Sequence, residues 1–508
     1  MNRNRWVVAA LAATTIAASS ADPVAAHALG QTFPLPVPLS LYLAAAAITV
    51  AASFVISIFV VGAPRQFPQY PTWPLPGLLA RIGSWFLRLL GLVWWYGAIA
   101  VGFVVGSVSP LPAVLFWIFV WVGVPITAVL LGNAWPSLSP FRTTHDLLER
   151  LLRPFGVRRL DMGLANPDGI GRWPAVLLLL AFIWLELVFP GRTDAATLAV
   201  ILTGYTTVTV LGMTLLGRVA WLREVEVFEV LFGWFGRVGP LGRRSVRSEL
   251  CTDCGEVCDS AHCVDCAECT LAADRGDLRP EYRWWITGLS EPMRPDLSDA
   301  AFILLALAGV TFDGLKETSA GTTILNLLFD PLAAAFGPLG ASLLAPTFML
   351  IGLWLFFLGL FVLAVYVTGR LSREPEFDLA ASAGRYAVTL LPIASGYVIA
   401  HYLTFLLQGI VWLPELLANP LTTVAPTLDQ IPIAAVWYLS VAAIVGGHVA
   451  AVIMAHRQAL RDAPQRAVIA GVPLVGAMVG YTVLSLWIIA QPIVIEPVSL
   501  LVRAVVGS

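Results

Sequence analysis

Residues 343–369 read LLAPTFMLIGLWLFFLGLFVLAVYVTG, 27 residues without one charge. An α-helix rises about 1.5 Å per residue and the bilayer core is about 30 Å thick, so about 20 apolar residues cross it. This run crosses with turns to spare. Runs of the same kind recur at 37–61, 83–107, 111–133, 173–190, 195–217, 297–315, 381–410, 433–457 and 466–492. Hydrophobic residues make up 58% of the 508-residue chain and charged residues 12%, with a mean hydropathy of +0.81. The sequence therefore predicts an all-α, polytopic integral membrane helical bundle of about ten transmembrane helices.

Arginine placement orients those spans, because cytoplasmic loops retain basic residues. Loop 134–172 carries Arg142, Arg150, Arg153, Arg158, Arg159 and Arg172, and loop 218–296 carries ten arginines. Loops 370–385 and 456–466 carry three each, whereas the alternate loops hold only Arg192, Lys316 and Arg503. With ten spans every arginine-rich loop falls on one face, which the rule assigns to the cytoplasm beneath a plasma membrane.

Ahead of the spans, Arg3 and Arg5 precede the apolar run 6–18 and then small residues. This is the form of a signal peptide or signal anchor over 1–28, with cleavage expected after Ala26 or Ala28. Five spans then occupy 29–217, a cytoplasmic loop fills 218–296, and five more spans fill 297–508. Within that last part, 320–342 is apolar but interrupted by Asp330, Pro331 and Pro338. It suits a re-entrant or interfacial segment, since broken backbone at membrane depth must be buried or line a cavity. Residues 219–236 place Arg223, Glu226 and Glu229 at helical spacing, the pattern of an amphipathic helix lying at the membrane surface. GFVVG at 102–106 and GAMVG at 476–480 have the small-residue spacing of close helix crossings.

All six cysteines fall in CTDCGEVCDSAHCVDCAECT, residues 251–270. Cys251, Cys254, Cys258, Cys263, Cys266 and Cys269, with His262 among them, face the reducing side, where clustered thiols indicate metal rather than disulfides. Cys251-x2-Cys254-Gly and Cys263-x2-Cys266 supply the paired turns of a tetrahedral zinc knuckle. Cys263-x2-Cys266-x2-Cys269 also matches an iron–sulfur triad, although Thr270 replaces the usual proline after the last cysteine. Zinc is the leading expectation and an iron–sulfur cluster the alternative.

An ionisable side chain inside a span is costly, roughly 3 kcal/mol on lenient scales, so it marks a candidate site. Glu186, Asp313, Glu317 and His401 all fall in the half of the membrane away from the arginine-rich loops, and form the candidate catalytic set. His27, Lys316 (the chain's single lysine), Tyr402 and Gln408 are the neighbouring candidates for a substrate or ion pathway. His448 lies nearer the other face and is left outside that set. A phosphate-binding loop, a zinc-protease helix and a serine-hydrolase elbow are all missing from the sequence, and nothing suggests nucleic-acid binding.

The stretches HALGQTFPLPVPLSLYL (27–43), IWLELVFP (183–190), EVFEVLFGWFGRVGPLG (226–242), FDGLKET (312–318) and HYLTFLLQG (401–409) resemble the bacterial membrane-protein family labelled fenitrothion hydrolase. The resemblance implies hydrolysis of an organophosphate ester and carries over no catalytic residues. Two functions are thus expected. One is a metal-assisted ester hydrolase built on Glu186, Asp313, Glu317 and His401, where a metal would activate water. The other is a transporter or metal-handling permease, in which the same residues form an ion site and the cysteines receive or sense metal. The lipid bilayer is the partner in either case.

Overall fold

The computed structural model describes residues 33–34, 38–62, 70–73, 77–157, 159–164, 170–245, 278–290, 294–375, 377–428, 431–491 and 494–495. In chain order the first half comprises β1 (Phe33–Pro34), α1 (Leu39–Val60), α2 (Gly77–Val105), α3 (Leu111–Leu130), α4 (Pro140–Leu152), α5 (Trp173–Leu187), α6 (Ala195–Leu216), α7 (Arg218–Glu224) and α8 (Val227–Val238). Then follow β2 (Leu241–Ser245), β3 (Leu278–Tyr282), α9 (Leu297–Lys316), α10 (Ser319–Ser372), α11 (Leu379–Val388), α12 (Leu391–Ala418), α13 (Ile433–Asp462), α14 (Ala467–Ala490) and β4 (Val494–Ile495).

Among the described residues nine helices are long and apolar enough to cross a membrane, and α5 adds a shorter apolar helix of 15 residues. These match the ten expected spans in order. Their outer faces confirm the solvent they are built for. Phe59 and Val104 stand 83% and 84% exposed, and large apolar surfaces of this kind are turned to lipid, not to water. The protein is an all-α, multi-pass membrane bundle.

Polar caps set where the helices begin. Asp296 opens α9 with a capping box in which Asp299 answers back to the Asp296 N–H. Asp194 opens α6 by accepting from Thr197 N at 2.8 Å, and Ser139 opens α4 by accepting from Arg142 N. Each carboxylate or hydroxyl satisfies N–H groups that the first turn leaves orphaned.

Two expectations are revised, and the interruption expected within 320–342 is present. Residues 219–236 are not one surface helix but two, α7 and α8, because Glu226 caps a new start by accepting from Phe228 N at 3.1 Å and Glu229 N at 2.7 Å. Helix α8 is buried on nearly all sides, and its Glu229 meets the buried Arg142 in a two-pronged ion pair rather than solvent. The span expected at 381–410 divides at Thr389–Leu390 into α11 and α12, where Pro392 begins the second helix in its first turn. The 320–342 segment is helical at the start of α10 and breaks at Gly337, φ +75°, just before Pro338, with most of its side chains exposed.

Of the two small-residue pairs, one glycine of the first makes a close approach. A Cβ at Gly102 would lie 2.4 Å from the Ala195 carbonyl oxygen, so glycine lets α2 reach α6, whereas Gly476 and Gly480 meet nothing within 4 Å. Helices α12 and α13 cross with equal intimacy. Gly396 rests on the Ala443 carbonyl and Gly447 on the Pro392 carbonyl.

Candidate functional site

Helices α5, α9 and α12 all run from the arginine-rich loops toward the opposite end; α5 and α9 deliver a polar residue in their last turns, and α12 delivers two just before its midpoint. Asp313, 6% exposed, sits one turn before the end of α9. Its Oδ1 lies 3.0 Å from Lys316 Nζ on the same helix face. Its Oδ2 lies 2.9 Å from His401 Nε2 and accepts a longer bond, 3.3 Å, from Tyr402 Oη, both on α12. An ionised carboxylate only accepts, so His401 carries a proton on Nε2. Lysine and aspartate neutralise each other, and the histidine is held in one orientation against them.

Helix packing creates this contact. A Cβ on Gly314 would lie 2.4 Å from Ile488 Cγ2, 3.4 Å from Tyr397 Oη and 3.5 Å from His401 Cε1. Only glycine beside Asp313 lets α12 and α14 approach α9 so closely. His401 is then sandwiched, stacked on Tyr397 at 5.9 Å and 8° and meeting Tyr402 edge-on at 4.7 Å.

Glu186 approaches from the last turn of α5. Its Oε2 accepts from Trp121 Nε1 at 2.6 Å, and it lies close enough to interact electrostatically with Asp313, Lys316 and Arg192. Trp121 belongs to a π-helical stretch, Val114–Gly123, inside α3. Such wide turns are uncommon and occur often at functional positions. Here the stretch points two indoles at α5 and its following turn, since Trp117 Nε1 also donates to the Arg192 carbonyl at 2.8 Å. Between these helices lies a narrow cavity of about 50 Å³, lined by Glu186, Trp121, Tyr397 and Tyr402 among apolar residues including Leu179 and Val310. One water needs roughly 15 Å³ measured this way, so the cavity holds a few waters.

The structure thus brings Glu186, Asp313, Lys316, His401 and Tyr402 together and leaves other candidates aside. Glu317 is exposed at the end of α9 and shares none of these bonds among the described residues. Gln408 ties the α12–α13 connection instead, its Nε2 donating to the Pro426 carbonyl at 3.0 Å. His27 and the segment 1–28, together with Cys251, Cys254, Cys258, Cys263, Cys266 and Cys269, lie outside the described residues. The residues that sequence reasoning missed are Trp121 and Tyr397. An aromatic in a span reads as packing, and only the Trp117/Trp121 repeat at a four-residue interval hints at more.

Glu186, Asp313 and His401 do not gather as metal ligands. Among the described residues the one His and carboxylate group whose ligand atoms all come within 4.8 Å of one another is His145, Asp146 and Glu149 on α4. That group is otherwise engaged. Asp146 holds Arg88 at 2.9 Å and Arg218 at 2.7 Å, while Glu149 and His145 bond the Leu160 N–H and carbonyl. It fastens α4 to α2 and to the start of α7.

At the arginine-rich end a second polar cluster surrounds the Glu226 carboxylate, which is fully buried and accepts from Tyr205 Oη at 2.5 Å. Burial pushes its pKa up to about 7, the Tyr205 bond opposes this, and nearby Glu229 adds to it. Arg172 pairs with Asp299 of the α9 cap. Several arginines that mark this face are therefore also structural cross-links. No protein-family model matches the chain, and comparison with curated proteins and with solved structures finds no similar chain.

Proposed function

We propose that the protein is a membrane transporter that moves a small ion through the site formed by Glu186, Asp313, Lys316, His401 and Tyr402. The observation that carries this reading is the pairing of a charge-compensated Lys316–Asp313–His401 set, deep in the bundle, with a cavity of about 50 Å³. Pockets for drug-sized organic ligands run to roughly 300–1,000 Å³. The cavity suits water and small ions and is several-fold too small for an organophosphate ester. Intramembrane ion pairs of this type mark ion paths and proton relays in general. In this reading the arginine-rich end faces the cytoplasm, as the positive-inside rule requires, and the six cysteines there bind zinc.

Phosphate-ester hydrolysis, the activity implied by the family resemblance, is the second reading. It is favoured by the Asp313–His401 hydrogen bond, the arrangement of a general base held by an orienting carboxylate. Lys316 weakens it, because an ammonium already occupies Asp313 Oδ1.

Charge movement in proteoliposomes on a solid-supported membrane, after concentration jumps of H⁺, Na⁺, K⁺ or Mn²⁺, separates the two. Transport predicts a current with at least one ion, reduced tenfold or more by Asp313→Asn. Wild-type protein that moves none of these ions, yet hydrolyses fenitrothion in detergent until His401→Ala abolishes it, overturns transport in favour of hydrolysis.

A further inference from the structure

Polar groups continue from His401 toward the arginine-rich end. Tyr397 lies one helical turn away on α12, about 6 Å along the axis. It is 1% exposed, and its Oη has no hydrogen-bond partner among the described residues. The Tyr397 ring meets the Tyr481 ring of α14 at 6.5 Å. Tyr481 Oη lies 2.6 Å from Thr311 Oγ1, and Thr311 donates its own hydrogen to the Leu307 carbonyl at 2.7 Å. The Tyr481 hydrogen therefore goes to Thr311, with the Leu307 carbonyl a longer second acceptor at 3.4 Å.

The Tyr481 ring in turn lies 5.9 Å from the ring of His448 on α13. His448 is 1% exposed, and its Nδ1 sits 2.8 Å from the Ile444 carbonyl. A carbonyl cannot donate, so Nδ1 carries the hydrogen and Nε2 is a bare lone pair. That Nε2 is buried without a partner. Two turns further along α13, His456 is equally buried, and its Nδ1 also lacks a partner.

Buried polar atoms are almost always satisfied. Tyr397 Oη, His448 Nε2 and His456 Nδ1 are three of the fourteen exceptions among the described residues, and these three follow one another along α12 and α13 beyond a histidine already paired with aspartate. Apolar packing alone offers no reason for them. Internal waters, each needing two or more polar partners, fit between such groups.

We propose that the ion moved is the proton, and that Tyr397, Tyr481 and His448 carry it between the Asp313–His401 pair and the arginine-rich end. This deepens the transport reading and rests on it. The imidazolium of His401 keeps Nε2–H on Asp313 and releases the Nδ1 proton. Through a water seated between each pair of groups, Tyr397 takes that proton on oxygen as its own phenolic proton passes on, and Tyr481 repeats the exchange. His448 Nε2 then accepts, and loss of the same proton toward His456 restores the starting state. Only O–H and N–H bonds change, and each phenol ends as it began.

The groups facing this route are few. Asp313 and Lys316 come from α9, Glu186 from α5, His401 and Tyr402 from α12, and Tyr481 from α14. Helix α1, which packs on α13 and α14, carries no carboxylate, amine or histidine, and its one phenol, Tyr42, meets Trp437 edge-on at 5.9 Å. At the far mouth, Arg385 of α11 faces Asp462 at 3.7 Å, with Arg457 and Arg461 nearby on α13.

The test uses full-length protein in pyranine-loaded vesicles under an imposed pH gradient, with valinomycin and potassium holding the voltage. Wild type should acidify the lumen. His448→Ala and Tyr481→Phe, confirmed monodisperse with near wild-type melting, should slow acidification tenfold or more. External imidazole should restore flux in His448→Ala, which a merely structural defect would not permit. Undiminished proton flux in both variants overturns the route. Wild-type vesicles that carry sodium or potassium but no protons overturn the proton assignment and leave transport standing, whereas vesicles that carry no ion remove both.

Discussion

Lysine and aspartate inside a bundle should depend on each other in a way that a double-mutant cycle can read. Removing one partner of a buried ion pair costs about 3–5 kcal/mol, because the other charge stays behind uncompensated. The two partners here are unequally placed. The Lys316 side chain is 20% exposed and the Asp313 side chain 8%. Lys316 is also the last residue of α9, so its ammonium can extend toward the membrane surface when Asp313 is lost. Asp313→Asn should therefore cost only about 1–2 kcal/mol once that exposure is discounted. Lys316→Met strands a more deeply buried carboxylate with His401 and Tyr402 alone, and should cost about 3 kcal/mol. Asp313→Asn with Lys316→Met leaves no charge, and should cost no more than the worse single change. Unfolding by steric trapping in bicelles, or by graded dodecyl sulfate, gives the three values. The coupling should reach about 2 kcal/mol, above the 0.6 kcal/mol or so of ordinary hydrogen bonds between membrane helices. Additive effects would refute the ion pair as the centre of the site.

Other changes test the same architecture. Glu226 is held near pKa 7 when folded against about 4.3 when unfolded, so the folded state binds the extra proton between those values. Its contribution is complete below about pH 4.3 and lost as pH rises through 7, on the order of 3 kcal/mol. Glu226→Gln should flatten the pH dependence of detergent melting over that window, and an unchanged slope would discount the assignment. Gly314→Leu should overfill the α9–α12–α14 crossing and lower stability by about 1–3 kcal/mol, whereas Gly476→Leu, which meets nothing, should melt like wild type. Trp121→Phe removes the indole donor to Glu186; a loss of about 1–3 kcal/mol is expected in detergent melting, and wild-type stability would discount that bond.

Hydropathy made the ten spans legible, since the cost of leaving apolar length unburied in lipid is the dominant energy here. Asp313 and His401 were legible for the converse reason: polar groups stand out where they are expensive. Lys316 was visible as a lone lysine, and its i,i+3 spacing from Asp313 already allowed the ion pair that the structure shows. Glu317 was nominated by adjacency, and one residue on a helix is 100° of rotation, enough to turn it outward. Trp121 and Tyr397 stayed hidden because an indole or phenol in a span serves lipid, packing and hydrogen bonding alike. The break at Glu226 was obscured by a pattern that fits two physics: Arg223, Glu226 and Glu229 suit one amphipathic helix, and they equally suit a cap followed by a buried pair. Local spacing does not distinguish these; the position of Arg142, 84 residues before Glu226, does.

The hairpin of β2 and β3 has an evolutionary consequence. Its strands are antiparallel, with Ser245 opposite Leu278, so residues 246–277 depart from and return to one point on the bundle. An insert whose ends are already tied together leaves its host's helices undisturbed when it lengthens, shrinks or disappears. The cysteine-bearing stretch can therefore change in length without moving the helices that carry Asp313 and His401. Chains that keep the bundle but join these strands by a two-residue turn are expected relatives, and they would show which chemistry the helices perform unaided.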